Sequence, residues 1–320
     1  MSDVMIRVDN LVKDYGSFRA VNKVTFNVRK GEVLGFLGPN GAGKSTTMKM
    51  LTCYLAPTEG SAKVAGYDVF DESLQVREHL GYLPEDTPLY RDMTVREYLE
   101  FAAEMRQMTP TNRGARIKEI GGRCGLGDVA GKLVGELSKG FRQRLGLAQA
   151  ILHDPDILIL DEPTSGLDPN QIVEIRSLIK EIGREKTVIL STHILPEVQA
   201  TCSRILIISG GKLVADGTPA DLRQRERGSR YRVIVEQNGA APDAVRARLT
   251  GLSGVARCEP VAGEAGSLAF SIDATANEDL RKTIFRAVVD NQWTLLELAR
   301  ESASLEDVFR HLTTGEETQS

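Results

Sequence analysis

Short aliphatic runs alternate with longer stretches of helical spacing over about the first 225 residues. Val33-Leu34-Gly35-Phe36-Leu37 predicts a buried strand, and the Gly-rich stretch after it leads into a helix over about residues 43–55. Ile157-Leu158-Ile159-Leu160, Thr187-Val188-Ile189-Leu190 and Ile205-Leu206-Ile207-Ile208 predict three more strands of the same kind. Continuous apolar strands separated by helices point to a parallel sheet covered on both faces. Residues 5–8 and 21–28 alternate apolar with polar positions and predict an antiparallel accessory sheet. Between about residues 77 and 152 the pattern is mainly helical, as in a helical insertion into the sheet core. Thr94-Val95-Arg96-Glu97 reads there as a capping box that starts a helix.

Beyond Gly217-Thr218-Pro219 a helix to about Arg225 leads into an arginine-rich segment. The pattern then predicts strands over 230–236, 254–259, 267–272 and 293–299, with helices over 242–250 and 277–290. A last helix is expected over about 304–312. The order β-α-β-β-α-β predicts a small α+β, ferredoxin-like domain. The chain therefore divides, on this reading, into residues 1–225 and an accessory domain over 226–320.

Composition agrees with two globular domains. The chain has 320 residues, 41% hydrophobic and 26% charged, enough for two domains of about 100–200 residues. No run approaches the roughly 18 apolar residues that cross a bilayer. The opening Met1-Ser2-Asp3-Val4 has no basic and apolar leader, so a cytoplasmic place is expected, with any membrane role reached through a partner. Cys53, Cys124, Cys202 and Cys258 are far apart and form no Cys-x-x-Cys pair; they read as reduced structural thiols. Net charge is −4 and falls in the tail, where 10 basic and 14 acidic residues follow Gly228. The rest is neutral, so a nucleic-acid partner is not expected. Arg223, Arg225, Arg227, Arg230 and Arg232 crowd together; they read as a solvated linker, with a partner or anionic lipid as the alternative.

The chemistry begins at Gly38-Pro39-Asn40-Gly41-Ala42-Gly43-Lys44-Ser45-Thr46. This matches the phosphate-loop pattern, with a strand before it and a helix after it. Its glycines let backbone N–H groups face phosphate oxygens, and the helix start adds partial positive charge. Lys44 is placed for β- and γ-phosphates, and Ser45 for Mg²⁺. Asp161 and Glu162 end the buried run 157–160. Asp161 suits a partner of the metal, and Glu162 a group that orients or deprotonates the attacking water.

Leu137-Ser138-Lys139-Gly140-Phe141-Arg142-Gln143-Arg144, 23 positions before Asp161, resembles the signature motif of ABC ATPases, the nucleotide-binding subunits of ABC transporters. Its Ser138 and Gly140 correspond to the residues that address the γ-phosphate held by the opposite subunit. Lys139 and Phe141 depart from the common Leu-Ser-Gly-Gly-Gln form. Ser165-Gly166-Leu167-Asp168 resembles the D-loop at the dimer interface. His193 resembles the switch histidine, and Tyr15 the aromatic that stacks on adenine. Leu80-Gly81-Tyr82-Leu83-Pro84-Glu85 resembles the Q-loop, with Glu85 in place of the usual glutamine at the metal and permease link.

The resemblance covers about residues 4–225, and the tail is similar to that of ATPases serving type-2 ABC exporters; the stretch Pro84-Glu85 to Pro88-Leu89-Tyr90 is most similar to the gliding-motility and multidrug-like subgroup. It implies a P-loop α/β core with an antiparallel accessory sheet and a helical subdomain. It also implies ATP and Mg²⁺ as ligands, hydrolysis, and head-to-tail pairing with a second copy. An integral membrane permease would be driven by the pair, with export as the direction. Ser138 lies 94 positions after Lys44, which leaves no room for the long coiled coils of DNA-repair relatives.

Overall fold

The computed structural model describes residues 3–225, 230–237, 241–275, 279–301 and 305–314. In chain order the first elements are β1 (Val4–Tyr15), β2 (Phe18–Arg29), β3 (Val33–Leu37), α1 (Lys44–Leu51), β4 (Glu59–Val64), β5 (Tyr67–Asp68), α2 (Ser73–His79) and β6 (Leu80–Leu83). Then come α3 (Val95–Met105), α4 (Pro110–Arg123), α5 (Lys139–Ile151), β7 (Ile157–Asp161), α6 (Pro169–Gly183), β8 (Thr187–Thr192), α7 (Leu195–Thr201), β9 (Arg204–Ser209), β10 (Lys212–Gly217) and α8 (Pro219–Arg225). The remainder is β11 (Arg230–Glu236), α9 (Pro242–Thr250), β12 (Val255–Val261), β13 (Ser267–Ala274), α10 (Arg281–Asp290), β14 (Leu295–Glu301) and α11 (Leu305–Thr314). By contact the chain splits into two compact units, the second running from Ala220 to His311.

Two sheets build the first unit. The antiparallel one has the order β2-β1-β4-β5, and the central one β10-β9-β3-β8-β7-β6. In the central sheet β9, β3, β8, β7 and β6 run parallel, and β10 turns back antiparallel on β9. All five residues of β7 and all six of β8 are buried, as expected of strands covered on both faces. One core joins Ile6, Val8 and Leu11 of β1 to Met48 and Leu51 of α1 and to Phe36, Ile157, Ile159, Ile189 and Ile208 of the central sheet. Helix α1, which follows the glycine-rich loop, is thus packed by residues of both sheets.

The expected antiparallel segments are longer than their alternation suggested. β1 and β2 form one hairpin of two 12-residue strands, Tyr15 opposite Phe18, turned at Gly16 with φ +60. The region from 77 to 152 is not helical throughout. Leu80–Leu83 is a parallel strand beside β7, with Leu80 and Leu83 buried. The helices proper are α3, α4 and α5. The capping box stands: Thr94 Oγ accepts from the Glu97 N–H at 3.2 Å, and the Glu97 carboxylate accepts from the Thr94 N–H at 2.8 Å.

The second unit has an antiparallel sheet in the order β12-β13-β11-β14. Its core joins Tyr231, Val233 and Val235 of β11 to Val245 and Leu249 of α9 and to Ile284 and Val288 of α10. The buried Tyr231 hydroxyl accepts from the Leu280 N–H at 3.0 Å, which satisfies its polar end. Of the arginine cluster, Arg230 and Arg232 lie in β11 and not in a linker. Arg230 pairs with Asp273 at 2.8 Å and Asp307 at 3.4 Å, and Arg232 with Glu297 at 3.7 Å. Arg227 lies outside the described residues, as do residues 277 and 278 of the expected helix. All four cysteines are free thiols, Cys53 half-buried and the others buried.

Gly81 sets how closely β6 can approach α5. A Cβ there would lie 2.2 Å from the Ala150 carbonyl oxygen. Gly81→Ala should therefore force the strand and helix apart and lower stability by about 1–3 kcal/mol, as overpacking does. Urea unfolding of the full chain measures this; an unchanged midpoint for the first transition contradicts it.

Candidate functional site

The loop over residues 38–46 wraps the start of α1 because its glycines have no side chains to obstruct it. A Cβ on Gly38 would sit 2.4 Å from the Ile208 carbonyl oxygen. Gly43, the N-cap of α1, has φ 102, and a Cβ there would lie 2.5 Å from the Ala20 carbonyl oxygen. The loop is held by Gly38 N–H donating to Thr192 O at 3.3 Å and Ala42 N–H donating to Pro39 O at 3.2 Å. A cavity of about 490 Å³ opens over it, lined in part by Asn40, Gly41, Gly43, Lys44, Ser45 and Thr46. The α1 N-terminus gives that floor the partial positive charge of a helix start.

Lys44 is the charged centre of the floor. Its side chain is 6% exposed, and Nζ donates to Gly38 O at 2.8 Å and Pro39 O at 3.2 Å. Its other neighbour is Glu162, with Oε1 3.5 Å away. Glu162 is itself buried and follows β7 with φ 48, a left-handed conformation uncommon for a non-glycine residue. Its N–H donates to Ser191 O at 2.9 Å, so the next strand's backbone holds the turn. That turn points the carboxylate at His193, whose Nδ1 is 3.0 Å from both Oε1 and Oε2. His193 also lines the cavity and is 43% exposed, so its ring is approachable from solvent.

Asp161 ends β7 beneath the loop and is 1% exposed. Burial raises its carboxyl above the usual range, against the hydroxyls of Ser191 and Ser45, which favour the charged form. Its Oδ1 is buried with no hydrogen-bond partner among the described residues. Asp161 and Ser45 line a second cavity of about 450 Å³, and Glu85 lines both cavities from an exposed position just after β6. Tyr15 lines the first cavity at its other end, 47% exposed, with Lys13 Nζ 5.6 Å from its ring centroid.

The sequence-derived residues do not all meet. Ser138 and Gly140 are not among the described residues lining either cavity. Ser138 caps α5, its Oγ accepting from the Phe141 N–H at 3.3 Å, and it is exposed. Pro39 and Ala42 shape the loop without lining the cavity. Asp168 forms a capping box with Gln171 at the start of α6. Gly166 has φ +67, and a Cβ there would lie 2.2 Å from Lys139 Nζ, so the signature-like lysine reaches the turn after β7. Ser165 of the D-loop-like stretch also lines the first cavity, as do Phe18 and Ala20, which were not anticipated. Phe18 was within reach of sequence reasoning, since the short Gly16-Ser17 turn sets it opposite Tyr15. Thr192, behind the histidine, carried no such signal.

The chain is similar to known proteins in sequence and in fold. The ABC transporter family model matches residues 21–165, and an AAA domain described as a putative AbiEii toxin of a type IV TA system matches residues 133–198. The chain is 34% identical to Nod factor export ATP-binding protein I of Burkholderia orbicola (strain AU 1054) over 331 residues, covering 100% of each. It is 32% identical to daunorubicin resistance ATP-binding protein DrrA3 of Streptomyces coeruleorubidus over 314 residues, covering 98% of this chain and 97% of the other. Identity to the probable multidrug ABC transporter ATP-binding protein YbhF of Escherichia coli (strain K12) is 41% over 222 residues; this match takes in 69% of the chain and spans 38% of YbhF. Among solved structures, one described as the ATP binding subunit of an ABC transporter superposes with a TM-score of 0.64 at 31% identity, covering 69% of this chain and 92% of that one. The dimeric structure of MJ0796, a bacterial ABC transporter cassette, gives 0.62 at 27% identity, covering 67% and 98%. The chain belongs to the ABC transporter family, among its ATP-binding proteins.

Proposed function

We propose that this chain binds ATP with Mg²⁺, hydrolyses it, and works as one of two paired subunits that drive a separate membrane permease. The observation that carries this reading is the meeting of Lys44, Glu162 and His193 at one cavity walled by the glycine-rich loop. Transfer of a phosphoryl group to water depends mainly on positioning and on stabilising charge. Residues 38–46 would wrap the phosphates, with Lys44 against the β- and γ-groups. Tyr15, joined by Phe18, offers a flat apolar face for adenine. Glu162 would orient the attacking water or take its proton, and His193 would steady that carboxylate beside the γ-phosphate.

The donors fit Mg²⁺. Asp161 offers a buried carboxylate oxygen without a partner, and burial disfavours its charge until a cation arrives. Ser45 and Glu85 stand at the same junction of cavities. No group of three or more His, Cys, Asp or Glu that could hold a metal is found among the described residues. The rest of the shell would therefore be phosphate and water, as is usual for this ion. Bound Mg²⁺ would neutralise charge on the phosphates.

Ser138 and Gly140, away from the chain's own cavities, would complete the site of a second copy. The dimeric structure of the MJ0796 cassette supports that reading. No helix among the described residues is long and apolar enough to cross a membrane. A permease in another chain would therefore hold this one at the inner face of the cell membrane. Glu85 leads into Pro88 and Tyr90 on a neighbouring groove of about 650 Å³, a suitable path from nucleotide to permease. Export is favoured by the names of the full-length relatives, which concern Nod factor export and daunorubicin resistance. The second unit, with β11 and β13 at the centre of its sheet, is read as a ferredoxin-like accessory domain.

Glu162→Gln should keep ATP affinity near that of the unmodified chain and slow hydrolysis by about 10²–10⁴-fold, the usual contribution of a general base. Phosphate release and nucleotide titration measure the two separately; near-normal turnover shows that Glu162 does not act on the attacking water.

Pairing has its own test. Ser138→Arg and Lys44→Ala should each be inactive alone, yet a mixture should regain ATPase activity, because one site of the mixed dimer is then built from two intact halves. If mixed dimers are shown to form and no activity returns, head-to-tail sharing of the sites is contradicted.

A further inference from the structure

Glu197, in α7, is a carboxylate that the roles above do not use. It is 2% exposed, and it is absent from every ion pair among the described residues. A buried carboxylate without a cation is costly unless its oxygens are well satisfied. Two hydroxyls satisfy it. The Thr164 hydroxyl, in the turn after β7, donates to Oε1. The Thr192 hydroxyl, at the end of β8, donates to Oε2 at 2.9 Å. Both threonines are as buried as the glutamate.

Thr192 has a second carboxylate within reach. Glu162 Oε2 lies 3.4 Å from the same hydroxyl, while the Ile194 N–H donates to the Thr192 hydroxyl oxygen at 3.1 Å. The hydroxyl has one proton to give. At 2.9 Å against 3.4 Å, the bond to Glu197 is the stronger. Its occupation leaves Glu162 Oε2 with the His193 Nδ1 contact at 3.0 Å and a second lone pair that can accept a hydrogen bond from water.

We propose that Glu197 is a positioning residue for ATP hydrolysis, holding the Thr192 hydroxyl proton away from Glu162. The proposal rests on Glu162 being the group that acts on the attacking water. Without an acceptor at position 197, the Thr192 proton turns to Glu162 Oε2. It then occupies a lone pair that water would use and weakens the carboxylate as a base. Thr164 holds the other oxygen of Glu197 and keeps that carboxylate turned correctly, but gives nothing to Glu162.

The test uses the full chain with ATP and Mg²⁺, following kcat, KM, thermal unfolding and the affinity for a fluorescent ATP analogue. Glu197→Met removes both acceptor oxygens at similar volume, whereas Glu197→Gln keeps one amide oxygen that still accepts from one threonine and serves as the conservative variant. The methionine form should fold even where the glutamine form does not, since apolar replacement of buried charge is often neutral. The expected result for Glu197→Met is a fall in kcat of about tenfold, a modest part of what a general base contributes, with KM and affinity little changed. Adding Thr192→Val to Glu197→Met should raise kcat again, because the misdirected proton is gone. A merely structural role gives the opposite sign, with the double variant slower than the single one. An unchanged kcat in folded Glu197→Met, or a further loss on adding Thr192→Val, overturns the proposal. Glu162→Gln is run beside them. If that variant hydrolyses normally, the reading of Glu162 has failed; if it is inactive while the Glu197 variants are normal, only the present inference has failed.

Discussion

The site depends on two opposite charges held out of water 3.5 Å apart, Lys44 at the start of α1 and Glu162 after β7. Neither is stable there alone, since removal of one partner leaves an uncompensated buried charge. They meet because β3, β8 and β7 are neighbours in one parallel sheet. The loop after β3 and the turn after β7 therefore open at the same edge, where ligands of parallel α/β sheets characteristically bind. The left-handed Glu162 backbone and the glycine-rich loop bring the side chains those last few ångströms. Both conformations are locally unfavourable or demanding, and both are fixed by strand-to-loop hydrogen bonds, Glu162 N–H to Ser191 O and Gly38 N–H to Thr192 O. Each of those acceptors belongs to β8. That strand is thus the common support of lysine, carboxylate and histidine.

This dependence explains what could be read from the sequence. The four aliphatic runs are legible as strands because both their faces are buried and nearly every position is apolar. The phosphate loop is legible because glycine spacing, lysine and hydroxyl occur together between a strand and a helix. The strand order is not, since adjacency in a parallel sheet is a matter of crossover packing and not of local pattern. Leu80–Leu83 escapes for a different reason. It is four residues long, contains a glycine and follows α2 without a break, so neither period can develop. The hairpin of β1 and β2 shows only in part because bulges interrupt its alternation. In the second unit, strand ends differ by one or two residues, β14 beginning at Leu295 and not at 293.

Of the site itself, the residues that would touch nucleotide are the legible ones. Their motif positions combine unusual residue types with fixed spacing. Those that support them are not legible. Thr192 and Glu197 look, in sequence, like an ordinary strand end and an ordinary helical acid. Only the fold puts the Glu197 carboxylate out of water and within reach of the same hydroxyl as Glu162. Two of the three departures from the common motifs also gain a setting. Glu85 stands in the open where two cavities join, so a charge there costs little desolvation. Lys139 extends over Gly166, a position with no side chain to obstruct it.

The central claim is that the buried Lys44 ammonium is the charge that recognises phosphate. Titration calorimetry of the unmodified chain and of Lys44→Ala with ATP and with adenosine tests it most directly. The account predicts that the substitution weakens ATP by more than about tenfold, the scale of one lost charge-assisted hydrogen bond, and leaves adenosine nearly unchanged. Equal weakening of both ligands in a folded variant, or no weakening of ATP, would contradict it.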